Sequence, residues 1–228
     1  VLIPATVIVS ACVLLKNRKE RLALKLDPTA VILIIILFVG LLTRVYPIKD
    51  MQAPLFADPA VEGTIARLIM DNQKIPSTWE PLLPIKLAHQ PGFASIIAWL
   101  SASGVPIPQV ILFFTNIVHA LFPLSIYFLA SRVLKNRFKS IIAAVVALVA
   151  SFPTYTFVAG MNSMAATFFM IPVIAGLMLE EKISRNKCAL LVFLSIGMAL
   201  IHPVSLFFLA MVSFPLLFAM RPWKNAAM

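Results

Sequence analysis

Residues 29–45, TAVILIIILFVGLLTRV, form an apolar run whose only charged residue is Arg44, one position from its end. As an α-helix this run covers about 25 Å, close to the thickness of the hydrocarbon core of a bilayer. A soluble domain carries roughly 25% charged residues, whereas this chain of 228 residues has 12%, with 61% hydrophobic residues. The run therefore predicts a membrane span, and the composition excludes soluble, disordered, collagen-like and disulfide-framework proteins.

Six further apolar runs have the same character, and they cover residues 1–15, 109–132, 140–157, 164–179, 188–201 and 203–220. Their length and lack of charge predict spans, with His202 and Pro203 forming the turn of the last hairpin. The predicted fold class is all-α. It is a polytopic transmembrane helix bundle of about seven spans in a single membrane domain over 1–228, with two spans in 1–45 and five in 109–220. Because the chain opens at Val1 inside an apolar run, we expect upstream residues to be missing.

The basic residues indicate which loops face the cytoplasm. Fourteen of the nineteen Lys and Arg residues lie in loops 16–27, 132–139 and 182–187 or in the tail from Arg221. Cytoplasmic loops carry such an excess, so the segment 46–107, in which acidic residues outnumber basic ones, is predicted to lie outside. The net charge of +10 therefore reflects membrane topology, and no nucleic-acid partner is implied.

The outside segment, residues 46–108, contains two helical patterns. In the first, at about 58–73, Asp58 precedes Pro59 as a helix N-cap. Its spacing predicts an amphipathic surface helix, with an apolar face of Val61, Ile65, Leu68 and Ile69 and a polar face of Glu62, Arg67 and Asp71. The second, at about 91–103, is apolar and too short to span, so we predict a second surface or half-inserted helix.

Two acidic residues are the leading candidates for chemistry. Asp58 and Glu62 stand four apart on one helix face, where such a pair can bind a divalent cation or divide into a general base and an orienting residue. The structural alternative is also open, because Asp58 has the position of a helix cap and Glu62 that of a solvated polar face.

The remaining candidates are basic. Arg44 at the outer end of its span can anchor the helix at the interface or grip a lipid phosphate. His89 and His202 are each interpreted either as substrate contacts or as loop and turn residues. Within the third span, Asn116 and His119 predict hydrogen bonds between helices.

Taken together, these segments resemble the polytopic glycosyltransferases of the GT-C superfamily. The resemblance covers about residues 38–215. It rests on "LLTRVYP", "FADPAVEGTIARLIMDNQKIP", "HQPGFASIIAWLSASGVPIP" and "FPLSIYFLASRVLKN", with further likeness in "SFPTYTFVAGMNSMA" and "ALIHPVSLFFLA".

The resemblance implies transfer of a hexose or pentose from a polyprenyl-phosphate carrier to an acceptor on the non-cytoplasmic face. Asp58 would be the catalytic base, and Arg44, Glu62, His89 and His202 would contact substrate or its phosphate. The metal requirement stays open. Membrane lipids and further membrane subunits are the expected partners. The alternative is a non-catalytic subunit that keeps this scaffold. A secondary transporter is disfavoured because no inverted repeat is visible.

Overall fold

The computed structural model describes residues 27–55, 57–87, 89–150, 162–180 and 184–220, and it is mostly helical, at 77%. The predicted first span, residues 16–26 of its basic loop, residues 151–157 of the span predicted at 140–157 and the tail from Arg221 lie outside the described residues. The helices are α1 (Pro28–Val45), α2 (Ala57–Asn72), α3 (Gly92–Ser101), α4 (Ile107–Ala120), α5 (Phe122–Leu134), α6 (Arg137–Ala150), α7 (Asn162–Phe168), α8 (Met170–Met178), α9 (Arg185–Ile201) and α10 (Val204–Met220).

Two stretches of helix in the described part of the chain are long and apolar enough to cross a membrane. The first is Pro28–Ile48, in which α1 continues into a 3₁₀ turn, and the second is Ile107–Leu134, which joins α4 and α5. Asp27 caps α1 by accepting a hydrogen bond from the backbone N–H of Ala30 at 3.0 Å. The predicted span at 164–179 is divided at Phe169 into α7 and α8.

Ion pairs join the helix ends at one end of the molecule, which we call the basic end. Asp27, before α1, accepts from Arg137 at the start of α6 at 3.3 Å. Glu180, after α8, lies 2.8 Å from Arg132 in α5 and also contacts Lys187 in α9. The three loops in which these residues lie are the ones that the sequence groups by their excess of basic residues.

The opposite end of the molecule, which we call the far end, can be located from the lengths of the helices that reach it. The 17 residues of α9 rise about 25 Å from the basic end to His202. The 28 residues of Ile107–Leu134 cover about 42 Å, which exceeds the roughly 30 Å of a bilayer core. The start of α4 therefore extends beyond the end of α1 and packs there against α2 and α3.

A hydrophobic core fills the space between α2, α3, α4 and the end of α9. Its fully buried members are Ile65, Ala66, Phe93, Ala94, Ile97, Ala98, Val110, Ile111 and Ile201. The helix predicted at 91–103 is present as α3, and α2, α4 and α9 all pack against it. Its apolar sequence reflects burial within the protein.

A short antiparallel hairpin, β1 (Thr78–Trp79) and β2 (Leu83–Lys86), links α2 to α3. No periodicity in the sequence predicts it, because the strands have only two and four residues and Pro84 lies inside the second. Both residues of β1 are half-buried, whereas every residue of β2 is exposed, including Leu83 and Ile85.

Large apolar side chains cover the outer faces of the helices on which the predicted spans fall. Phe193 on α9 is 73% exposed. Others of the same kind are Ile34, Ile35 and Phe38 on α1, Phe138 and Val149 on α6, and Phe207 and Phe214 on α10. Such a surface is costly in water and favourable against lipid chains.

Candidate functional site

A close approach of two backbones organises the far end. A Cβ atom on Gly92, the first residue of α3, would lie 2.4 Å from the carbonyl oxygen of Leu200 near the end of α9. Only glycine fits at this distance, because real Cβ atoms do not approach an oxygen so closely. The contact holds the loop that carries His89 next to the turn that carries His202.

Glu62 is buried at this junction, with 2% of its surface exposed. Its Oε1 atom lies 4.0 Å from Nε2 of His89, and its Oε2 atom is buried with no hydrogen-bond partner among the described residues. The prediction that Glu62 lies on a polar face is wrong. Glu62, Ile65, Ala66 and Ile69 form an i, i+3, i+4, i+7 stripe, and α3 and the start of α7 cover it.

Burial controls the electrostatics of this carboxyl. The pKa of Glu62 is raised to about 7, mainly by burial; the hydroxyl of Ser163 opposes the shift, and the negative charge of Asp58 adds to it. Desolvation penalises the charged form of an acid, and a nearby anion has the same effect. Glu62 therefore exchanges a proton near neutral pH, whereas a solvated glutamate does so near its ordinary value of 4.5.

His202 caps the end of α9 and is half-buried beside His89. Burial is the main cause that lowers the pKa of His202, and the charge of His89 lowers it further. Its Nδ1 atom is buried and has no hydrogen-bond partner within the described ranges. The far end thus places His89 between Glu62 on one side and His202 on the other, with the three residues coming from three segments of the chain.

Asp58 stands one helical turn before Glu62 and is exposed. The helix begins at Ala57, so Asp58 lies in the first turn, where the sequence predicts it at the N-cap. A carboxylate in this position is favoured by the helix dipole. It is open to solvent, while its charge acts on Glu62 behind it.

Arg44 is buried in the bundle, with 4% of its surface exposed. Its Nε donates to Nδ1 of His119 on α4 at 2.9 Å, and its guanidinium also donates to the carbonyl of Leu148 on α6 at 3.4 Å. The prediction that Arg44 is an interfacial anchor or phosphate ligand is contradicted by this enclosure. The predicted interhelical hydrogen bond of His119 is present, with Arg44 as its donor.

A cavity of about 630 Å³ lies on another face of α2. On α2 it is lined by Pro59, Ala60, Gly63, Thr64, Arg67, Leu68 and Asp71. At 100° per residue, Ala60, Thr64 and Arg67 point well away from Asp58 and Glu62. Neither acidic candidate lines this cavity.

Within the described ranges, no group of three or more His, Cys, Asp or Glu residues is placed to hold a metal ion. The sequence marks Glu62, His89 and His202 as candidates, but no pattern in it indicates that His89 lies close to the other two. The sequence contains one indication that Glu62 is buried. Glu62 lies three, four and seven residues before Ile65, Ala66 and Ile69, which is the spacing of residues on one buried helix face. No sequence pattern near Gly92 predicts that this residue will contact α9.

Comparisons with known proteins add no relative: no family model matches the chain, and neither does any curated protein or solved structure.

Proposed function

We propose that the chain is a multi-pass membrane glycosyltransferase of the GT-C type, with its site at the far end. It would transfer a sugar from a polyprenyl-phosphate carrier to an acceptor on the non-cytoplasmic side. The observation that carries the proposal is the buried Glu62, which has Asp58 one turn before it and His89 at 4.0 Å, with His202 near enough to His89 for their charges to interact. The resemblance implies a role for each of these four residues. Catalytic sites are places where environments drive the pKa values of neighbouring groups apart.

The ion pairs of the basic end support the orientation. Asp27–Arg137, Glu180–Arg132 and Glu180–Lys187 tie together loops that are rich in basic residues. By the positive-inside rule these loops face the cytoplasm. The far end, about 25 Å away along α9, then faces outward, where a polyprenyl carrier presents its head group for transfer.

In the proposed reaction, the exposed carboxylate of Asp58 accepts the proton of the acceptor hydroxyl. The hydroxyl oxygen forms a bond to the anomeric carbon while the bond from that carbon to the carrier phosphate breaks, and the phosphate leaves with the electron pair. Glu62 behind Asp58 is half protonated near pH 7 and so limits the negative charge at the site. The imidazole N–H groups of His89 and His202 would donate hydrogen bonds to the departing phosphate.

Arg44 is omitted from this mechanism. Its hydrogen bonds to His119 and Leu148 hold α1 against α4 and α6. It is a structural residue of the bundle in the present proposal.

The test uses the full chain in liposomes with polyprenyl-phosphate glucose or mannose and a membrane extract as the source of acceptor. Removing a general base lowers turnover about 10²–10⁴-fold, and we expect a loss of this size in Asp58→Asn. The control is Asp50→Asn, because Asp50 is an exposed acid of the same segment that pairs with Lys49 at 3.0 Å. Equal turnover in Asp58→Asn and wild type would remove Asp58 from the mechanism.

A second candidate function is a non-catalytic subunit that keeps this scaffold. Two observations favour it: the enclosure of Arg44 inside the bundle, and the position of the 630 Å³ cavity on a face of α2 that does not include Asp58. The same assay separates the two, because a scaffold gives no donor turnover in wild type and no difference in Asp58→Asn.

A further inference from the structure

The cavity on α2 has the size of a ligand site but almost no polar groups that could bind a ligand. Its volume of about 630 Å³ falls within the range of roughly 300–1,000 Å³ found for ligand pockets. Opposite α2 it is closed by Pro81 and Leu82 of the hairpin turn and by Ile107, Pro108 and Ile111 at the start of α4.

Three of the fourteen lining residues carry polar side chains, and the other eleven are apolar or glycine. The hydroxyl of Thr64 donates to the carbonyl of Ala60 at 2.8 Å, and Nε of Arg67 donates to Asp71 at 3.1 Å at the exposed edge. A polar ligand would lose its hydration along the apolar part of the lining without gaining partners there, which costs free energy. An apolar ligand gains free energy in proportion to the area it buries. The lining therefore favours a hydrocarbon occupant.

The surroundings of the cavity indicate where such an occupant comes from. Leu82, a lining residue, is 61% exposed, and Leu55 next to the lining residue Pro54 is 62% exposed. Leu83 and Ile85 on β2 are exposed as well. Exposed apolar clusters of this kind mark contact with a membrane or a partner, and the apolar outer faces of α1, α6, α9 and α10 favour the membrane.

We propose that this cavity holds the end of an acyl chain of a bilayer phospholipid from the outer leaflet. The Arg67–Asp71 pair, which is exposed at its edge, faces the head-group region. The bound chain would fix residues 46–108 at a set depth in the interface. This inference does not depend on glycosyl transfer, because the cavity lies on a face of α2 away from Asp58 and Glu62.

The test uses the full chain in nanodiscs of phosphatidylcholine in which one acyl chain carries a diazirine near its terminal methyl group. After irradiation and digestion, mass spectrometry locates the labelled residues. We expect labels on residues 53–71, 81–82 and 107–111, in addition to the outer faces of the helices.

Ala60→Trp places an indole in the cavity, and we expect it to lower labelling of these residues about tenfold. Ala57→Trp is the matched control, since Ala57 is exposed on the same helix but does not line the cavity. Leu82→Asp is a second variant on an exposed turn, and its added charge should lower labelling without filling the core.

Three results would overturn the proposal. The first is equal labelling in Ala60→Trp and Ala57→Trp. The second is labelling confined to the outer faces of α1, α6, α9 and α10. The third is complete displacement of the label from the cavity by an equal amount of an unlabelled linear polyprenol, which would identify an isoprenoid as the preferred occupant.

Discussion

Glu180 at the basic end and Glu62 at the far end are the same residue type in opposite environments. Glu180 contacts Lys187 and lies 2.8 Å from Arg132. The hydrogen bond from Lys187 is the main cause that holds the pKa of Glu180 below its ordinary value, and Arg132 adds to it. Glu62 has His89 at 4.0 Å, a buried oxygen without a described partner, and a pKa that burial raises to about 7.

These environments determine which of the two carboxyls can exchange a proton near neutral pH. A carboxylate that is held charged by two cations joins helices and has little reason to exchange a proton near neutral pH. A buried acid with a pKa near the working pH can donate or accept a proton, and such groups cluster at functional sites. The two ends also predict opposite responses to pH, which makes the comparison testable.

The largest expected effect comes from breaking the far end alone. In Gly92→Ala, the new Cβ atom would lie 2.4 Å from the Leu200 carbonyl oxygen, so α3 and α9 must separate. We expect a loss of about 3 kcal/mol or more in the free energy of unfolding, because the obstacle is backbone. Thermal unfolding in detergent measures it.

Gly197→Ala is the control for this substitution. A Cβ on Gly197 meets nothing within 4 Å, and alanine favours a helix over glycine by about 1 kcal/mol. Gly197→Ala should therefore be neutral or stabilising. Equal unfolding temperatures for the two variants would contradict the close contact between α3 and α9.

The next effect is the pH dependence of Glu62. Its folded pKa of about 7 lies above the ordinary value of 4.5. The neutral form is therefore the one that folding favours, and this contribution is complete below about pH 4.5 and is lost as the pH rises to 7. Glu62→Gln should remove this loss, so that above pH 7 the variant is more stable than wild type by up to about 3 kcal/mol.

Thermal unfolding of both proteins between about pH 4.5 and 8 tests this point. The stability of Glu62→Gln relative to wild type should increase with pH across this range. A constant difference would mean that Glu62 does not titrate there. Asp71→Asn is a suitable control, because Asp71 is exposed on the same helix.

A smaller effect is expected at Arg44. In Arg44→Met the hydrogen bonds to His119 and to the Leu148 carbonyl are lost, which should lower the free energy of unfolding by about 2 kcal/mol. The KM for a polyprenyl-phosphate sugar should not change, because Arg44 is enclosed in the bundle. Thermal unfolding and initial-rate kinetics give the two values.

Arg67→Met is the matched control for Arg44, since Arg67 is exposed and pairs only with its neighbour Asp71 among the interactions described for it. Its removal should change the free energy of unfolding by about 0.5 kcal/mol or less. A variant Arg44→Met of unchanged stability but raised KM would restore Arg44 as a phosphate ligand.

The smallest effect is expected at the basic end. The folded pKa of Glu180 is lowered, so its contribution to stability is present above its ordinary pKa and is lost as the pH falls. Glu180→Gln should lower the unfolding temperature slightly at pH 7, the difference should shrink as the pH falls below the ordinary value of 4.5, and added salt should reduce it. Glu80→Gln, at an exposed position, is the control. A difference that grows as the pH falls would contradict the assigned ion pairs.

Much of the helical framework could be predicted because hydrophobic periodicity is a local property. The runs at 29–45 and 188–201 correspond to α1 and α9, and the capping signal at Asp58 falls within one residue of the start of α2. The grouping of basic loops likewise anticipates the contacts of Arg132, Arg137 and Lys187 at one end.

The errors arose where distant segments decide the environment of a residue. Nothing near Arg44 in the sequence indicates that His119 will face it. Glu62 looks solvated until α3 packs against its face, and nothing in the apolar sequence of α3 indicates that α2 and α9 will pack on it. Single-sequence patterns report which face of a helix is apolar, but they do not report which helix will cover it.

The proposed site depends on Glu62 being a buried acid that exchanges a proton near neutral pH at the far end. Infrared difference spectroscopy of the protein in lipid measures this through the C=O stretch of a protonated carboxyl. We predict a band that disappears with a midpoint near pH 7 and is missing in Glu62→Gln. A band that persists in Glu62→Gln, or a Glu62 carboxylate that is fully ionised at about pH 5, would contradict the account.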